Sequence, residues 1–221
     1  INLKVIQDKY SELLLTAENQ RFKIGTDMKS TTTIPNIQVD EMNKLIICDP
    51  PGFFDNRTAE QDAINSFVID QLFNAPNKIR ILLVISEQEM SCWSARGKTV
   101  MANFERLTQM FELKRNIGLV ITGGDGRHPQ YYLQKLLDGN PSEAIVDWGN
   151  YFLHHMDENV FSFPKATASQ IGMNYSFADR ERLMRFLHTS TMSQPCHKVI
   201  LSDEAKLYIS EVEKNFDSIE E

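Results

Sequence analysis

The chain has 221 residues, with 42% hydrophobic and 24% charged side chains and a formal net charge of −7. That length suits one domain, or one domain with a helical extension, and it buries a core without disulfides or metals. The acidic balance argues against a nucleic-acid footprint, which requires a basic surface. Three cysteines, Cys48, Cys92 and Cys196, stand at unrelated spacings, so neither a disulfide framework nor a zinc motif is expected. A reducing, cytoplasmic setting is the expectation, since the N-terminus carries no charged-then-apolar leader. No apolar run approaches the roughly 18 residues of a membrane span.

Short apolar runs alternate with amphipathic stretches. Leu45 to Cys48 reads as a short buried strand that stops at Asp49-Pro50-Pro51-Gly52. Thr58 to Ala75 reads as a helix with Ile64, Phe67, Val68 and Leu72 on one face. Ile79 to Ile85 is nearly all apolar, as in a strand covered on both faces. Ala95 to Leu113 is helical, aligning Met101, Phe104, Leu107 and Phe111. Ile117 to Ile121 is the next strand. Gln130 to Leu137 and Glu143 to Met156 are helical, Val160 to Phe163 is a strand stopped by Pro164, and Ala178 to Leu187 is helical. This β-α alternation predicts an α/β fold, a three-layer sandwich with a parallel or mostly parallel sheet. Near the C-terminus Ser202 is a helix N-cap candidate, followed by Asp203 and Glu204. Leu207, Ile209, Val212, Phe216 and Ile219 form a partial apolar stripe. That helix either packs back on the domain or begins a longer coiled coil that meets a protein partner.

Open α/β sheets bind ligands at the carboxyl ends of their strands. Asp49 follows a strand directly, where a carboxylate holds a Mg²⁺-bound water beside nucleotide phosphates. Gly52, lacking Cβ, lets its backbone N–H approach a γ-phosphate. Upstream, Ser30-Thr31-Thr32-Thr33-Ile34-Pro35 is a polar loop in which one of Thr31, Thr32 and Thr33 could offer a hydroxyl to the metal. After the Ile117 strand comes Thr122-Gly123-Gly124-Asp125, a glycine turn that ends on a carboxylate. After the last strand comes Phe163-Pro164-Lys165-Ala166. Each segment, taken singly, is also an ordinary turn. Arg96-Gly97-Lys98-Thr99 mimics a phosphate loop, but Cys92 stands where its first glycine belongs, and Lys98 reads as a surface residue. His154-His155 point in different directions on a helix and make a poor metal pair.

The run Ser30 to Pro35, the segment Ile46 to Arg57 with its Asp-Pro-Pro-Gly-Phe-Phe-Asp-Asn-Arg, and Gln61 to Asn65 resemble a group of GTPase-like domains found mainly in ciliates and other protists. That group is related to the septin and AIG1-type GTPases. Val84-Ile85-Ser86-Glu87, Arg96-Gly97-Lys98 and Leu201 to Lys206 also look like it. The resemblance implies a P-loop GTPase-like domain over residues 1–190, then a linker and C-terminal helix over 191–221. It implies guanine nucleotide (GTP or GDP) with Mg²⁺ as ligands. Thr32, Thr33, Asp49, Gly52, Thr122, Asp125 and Lys165 would bind nucleotide, with Thr32 and Asp49 on the metal. None of these is a strong general base, so hydrolysis would rest on positioning and charge stabilisation. The sequence departs from the group twice. Gly123 replaces the lysine whose stem covers the base, and no Gly-x-x-x-x-Gly-Lys-Ser/Thr loop precedes residue 30. The expectation is a domain without its first strand and phosphate loop, both encoded upstream of Ile1. In the family's strand order, 2-3-1-4-5-6, the missing strand is central, so the strands at Leu45 and Ile79 would lose a common neighbour. The alternative is a pseudo-GTPase, an interaction module that keeps the fold without turnover.

Overall fold

The computed structural model describes residues 3–7, 13–17, 35–50, 58–74, 79–91, 104–105, 107–110, 114–124, 127–138, 141–189 and 201–220. The chain divides into two compact units, Ile1–Asn19 with Asn77–Cys196, and Gln20–Pro76 with His197–Glu221.

In the first unit, β1 (Leu3–Gln7) and β2 (Leu13–Ala17) form an antiparallel hairpin. Sequence reading missed it, although two apolar runs around a polar five-residue stretch are a hairpin signal. Next in the chain come β3 (Asn36–Asp40), β4 (Leu45–Asp49) and helix α1 (Ala59–Asn74) of the second unit, and the centre of the first unit is a three-stranded parallel sheet. The parallel strands are β5 (Ile81–Ser86), β6 (Ile117–Gly124) and β7 (Val160–Pro164), in the order β5-β6-β7. Helices α2 (Glu87–Ser91), α3 (Pro129–Leu137), α4 (Glu143–His154), α5 (Met156–Asn159) and α6 (Arg180–His188) accompany them.

Parallel strands need crossover connections, and these place helices on the sheet faces. Register sets which residues share a face. Leu82 pairs with Gly118, Val84 with Val120, and Val120 with Phe161. On that face Val120 and Phe161 pack with Phe186 of α6, joined by Leu82, Phe163, Leu183 and Leu187. The opposite face carries Ile81, Leu83 and Ile85, then Ile117, Leu119 and Ile121, then Val160. The larger aromatic core comprises Phe104, Tyr132, Trp148 and Phe152, all fully buried. The stripe expected over Ala95 to Leu113 is borne out at Phe104 and Leu107, which are buried together with Met110; Met101 and Phe111 lie outside the described residues. A both-sides cover was expected for β5, but Val84 is 59% exposed. Among the described residues β5 is an edge strand of this sheet, and on its α6-facing side Leu82 packs against the cluster while Val84 does not.

The second unit corrects a larger expectation. β3 and β4 pair antiparallel, with Asn36 opposite Asp49 and Asp40 opposite Leu45. The strand leading to Asp49 is therefore neither buried nor parallel, and Ile46 is 74% exposed. Four consecutive apolar residues suggested burial on both sides, yet a four-residue connection permits only an antiparallel return. The sheet is thus parallel over β5-β6-β7 and antiparallel over β3-β4, which form separate sheets.

That connection is closed by Asp40, which accepts from Asn43 N at 3.1 Å and Asn43 Nδ2 at 2.7 Å. Lys44 completes it in the left-handed region, at φ 53°. The Asn43 amide, and then its backbone N–H, hold the Asp40 carboxyl below its ordinary pKa. A folded-state pKa below the unfolded one stabilises the turn above the unfolded value, and that contribution is lost as pH falls through the folded value. The expected result is an Asp40 carboxyl titration midpoint below the usual aspartate value by NMR, returning upward in Asn43→Ala.

Helix α1 starts at Thr58, whose Oγ1 accepts from Gln61 N at 3.1 Å. Its existence was expected, but its inward face was not. Phe67 is 63% exposed and Ile64 also points outward, while Asp62, Asn65, Ser66 and Ile69 are buried. Helix α7 (Asp203–Glu220) packs on α1 and is capped by Ser202, whose Oγ accepts from Ala205 N at 3.1 Å. Leu207 of the expected apolar stripe is exposed. Among the described residues no helix is long and apolar enough to cross a membrane.

Candidate functional site

The strands of the parallel sheet end side by side. Ser86 lies opposite Thr122, and Gly124 opposite Pro164, so the loops after β5, β6 and β7 share one edge. The first of these ends is closed by its own residues. Glu89 Oε2 accepts from Ser86 N at 2.9 Å and Ser86 Oγ at 2.8 Å, and Glu89 N donates to Ser86 Oγ at 3.2 Å. This reciprocal cap starts α2.

The middle of the edge is built by two glycines with different duties. Gly123 has φ +71°, a region that strains any residue with a Cβ. It produces the register shift between Thr122 and Gly124. Gly124 then resumes pairing under Tyr132, whose hydroxyl would stand 3.2 Å from a Cβ placed there. Beyond the bulge Lys165 N donates to Gly124 O at 2.9 Å. The Lys165 stem turns toward the bulge, with Cε 3.9 Å from the point where a Gly123 Cβ would be.

The segment after Lys165 is tied back to the sheet. The Tyr175 hydroxyl donates to Pro164 O at 2.6 Å, and burial pushes its phenol pKa up. Phe177 lies against Phe163 with ring centroids 3.8 Å apart. Asp179 Oδ2 accepts from Ser162 N at 2.7 Å, and Arg182 donates to Val160 O while pairing with Asp179 at 3.1 Å. The outer edge of β7 is thereby covered by side chains.

The opposite, amino edge is a structural clamp. Arg80, Asn116 and Asn159 each directly precede a strand. Arg80 Nη1 donates to Asn116 Oδ1 at 2.9 Å, its other arm reaches Thr189 O, and its guanidinium lies 4.8 Å from the Phe186 ring centre. Asn159 Nδ2 donates to the Tyr151 hydroxyl at 2.7 Å. Sequence reading passed over all three. Their signal was a polar residue standing just ahead of each apolar run.

Of the residues proposed from sequence, Thr122 and Lys165 come together at the carboxyl edge. Asp49 ends β4 in the second unit; protein atoms around its carboxyl remove hydration and raise its pKa. Its Cys48 neighbour is half-buried and unpaired, and burial, then the Asp49 charge, push the thiol pKa up. Thr32, Thr33, Gly52 and Asp125 lie outside the described residues, as do Cys92, Trp93, the Arg96-Gly97-Lys98 segment, Cys196 and the 191–200 linker. Among the described residues no three histidine, cysteine or acidic side chains are grouped as metal ligands. His154 and His155 stack edge to face at 5.0 Å, and His155 faces Glu158 at 3.4 Å.

No protein-family profile and no curated protein matches this chain. The case for a function therefore rests on this edge and on the residues that flank it.

Proposed function

We propose that the chain is a G-domain-like module that binds guanine nucleotide across the carboxyl edge of β6 and β7. In its active form it is a slow, Mg²⁺-dependent GTPase switch. The carrying observation is the edge itself. Two parallel strands end together at Thr122-Gly123-Gly124 and Pro164-Lys165, with the Lys165 N–H bonded across to Gly124. Ligands of open parallel sheets sit outside such ends. The parallel trio β5-β6-β7 is in keeping with this reading, whereas the antiparallel pairing of β4 counts against a parallel strand ending at Asp49.

In this scheme Asp125 follows β6 by one residue and accepts from the base. The Mg²⁺ and phosphate roles of Thr32 or Thr33, Asp49 and Gly52, all in the second unit, rest on the family resemblance alone. With no strong base among them, turnover depends on positioning and charge.

One observation favours the second reading, a pseudo-GTPase that serves as an interaction module. Gly123 takes the place of the base-covering lysine, and its φ of +71° disfavours any side chain there. Competition between fluorescent guanine and adenine nucleotides separates the two. It is run with Mg²⁺ on this chain and on the longest form its gene encodes. GTP is expected to bind at least about tenfold more tightly than ATP, about 1.4 kcal/mol. Equal affinities remove the role of Asp125. Absence of binding in both forms leaves the interaction module.

A further inference from the structure

Within the second unit α7 lies on α1, and the buried side of α1 carries polar groups beside Ile69. Asp62 is 5% exposed, Asn65 and Ser66 are buried beside it, and Gln61 Nε2 donates to Asn65 Oδ1 at 2.8 Å. Asp62 Oδ2 accepts from Ser202 N at 3.3 Å, at the point where α7 begins. Ala205, one turn into α7, is fully buried. A carboxylate at that point also faces the positive end of the α7 dipole.

Apolar helix faces, once uncovered, leave surface that associates nonspecifically. The buried side of α1 is mixed, with Asp62, Asn65 and Ser66 beside Ile69. Its carboxylate, amide and hydroxyl groups exchange protein partners for water when uncovered. The more apolar flank of α1, with Ile64 and Phe67, already points away from the buried side. We infer that α7 is a strap held on α1 by a polar latch, Asp62 on the N–H of Ser202, and that it opens without unfolding the helix beneath it. This goes beyond the nucleotide reading and does not depend on it.

Hydrogen exchange on the intact chain tests the strap. Amides of residues 203–212 are expected to open at least about tenfold more often than those of residues 63–72, as a local opening does. Asp62→Ala is expected to increase exchange over 203–212 by a further factor of about ten while changing 63–72 less than about threefold. Asp62→Asn keeps an acceptor oxygen and loses the charge, so the same segment should respond by a smaller factor. It also keeps the test alive should the alanine variant misfold. A parallel rise in both helices, or an unchanged 203–212 segment in both variants, overturns the proposal.

Discussion

Replacing Trp148 by alanine lowers the unfolding free energy of its unit by about 3–5 kcal/mol. Trp148 is fully buried in α4 and is ringed by Phe104 at 6.3 Å, Phe152 at 5.6 Å and Tyr151 at 6.0 Å between ring centres. Its Nε1 donates to Thr108 Oγ1 at 2.8 Å, and Lys114 Nζ lies 5.0 Å from the indole. Truncation removes the largest side chain in that cluster and leaves a cavity that three rigid rings cannot close. It also removes the donor to Thr108 Oγ1, whose own bond to Phe104 O at 3.0 Å remains. Trp148→Phe retains most of the volume and should cost less than half as much. Urea unfolding followed by circular dichroism measures both. A loss below about 1 kcal/mol for the alanine variant, the level of a surface change, would show that this cluster is not the core of the unit.

On the proposed reading, Asp125→Ala is expected to weaken GTP binding about 100-fold or more, because that reading gives Asp125 two charge-assisted hydrogen bonds of about 1.5–3 kcal/mol each. The physical basis is guanine itself, which presents N1–H and the C2 amine to one carboxylate. ATP binding should be unchanged. Asp125→Asn exchanges one acceptor for a donor and should favour xanthine, which carries oxygen at C2. Nucleotide titrations of the two variants against the unaltered protein provide the check. If the GTP-to-ATP ratio does not move in either, Asp125 does not read the base and the guanine assignment fails.

Much of the parallel unit was legible along the chain. The apolar runs at Ile81, Ile117 and Val160 and the helices Pro129–Leu137, Glu143–His154 and Arg180–His188 lie close to where the pattern placed them, while β6 runs on to Gly124 and the short helix Glu87–Ser91 was not expected. The Thr122-Gly123-Gly124 and Lys165 segments were singled out from sequence, and the register joins them. What failed was the assignment of faces. Ile64 and Phe67 of α1 point outward, and Ile46 of β4 is exposed. Hydropathy reports that a residue gains by burial, but not whether a neighbouring element reaches it. The Asp62-Ser202 contact spans 140 positions, a separation at which no local pattern carries information.

Sequence by itself determined the period of the main elements, the cap at Ser202 and the glycine turn after Thr122, because these depend on backbone sterics and on neighbours within about four residues. Tertiary structure alone decided strand partners and helix faces. It made β3-β4 an antiparallel pair and β5-β6-β7 a parallel sheet, and it turned the polar side of α1 inward beneath α7. Backbone N–H and C=O groups are nearly the same in every residue, so the edge they pair with is chosen by where the whole chain brings them.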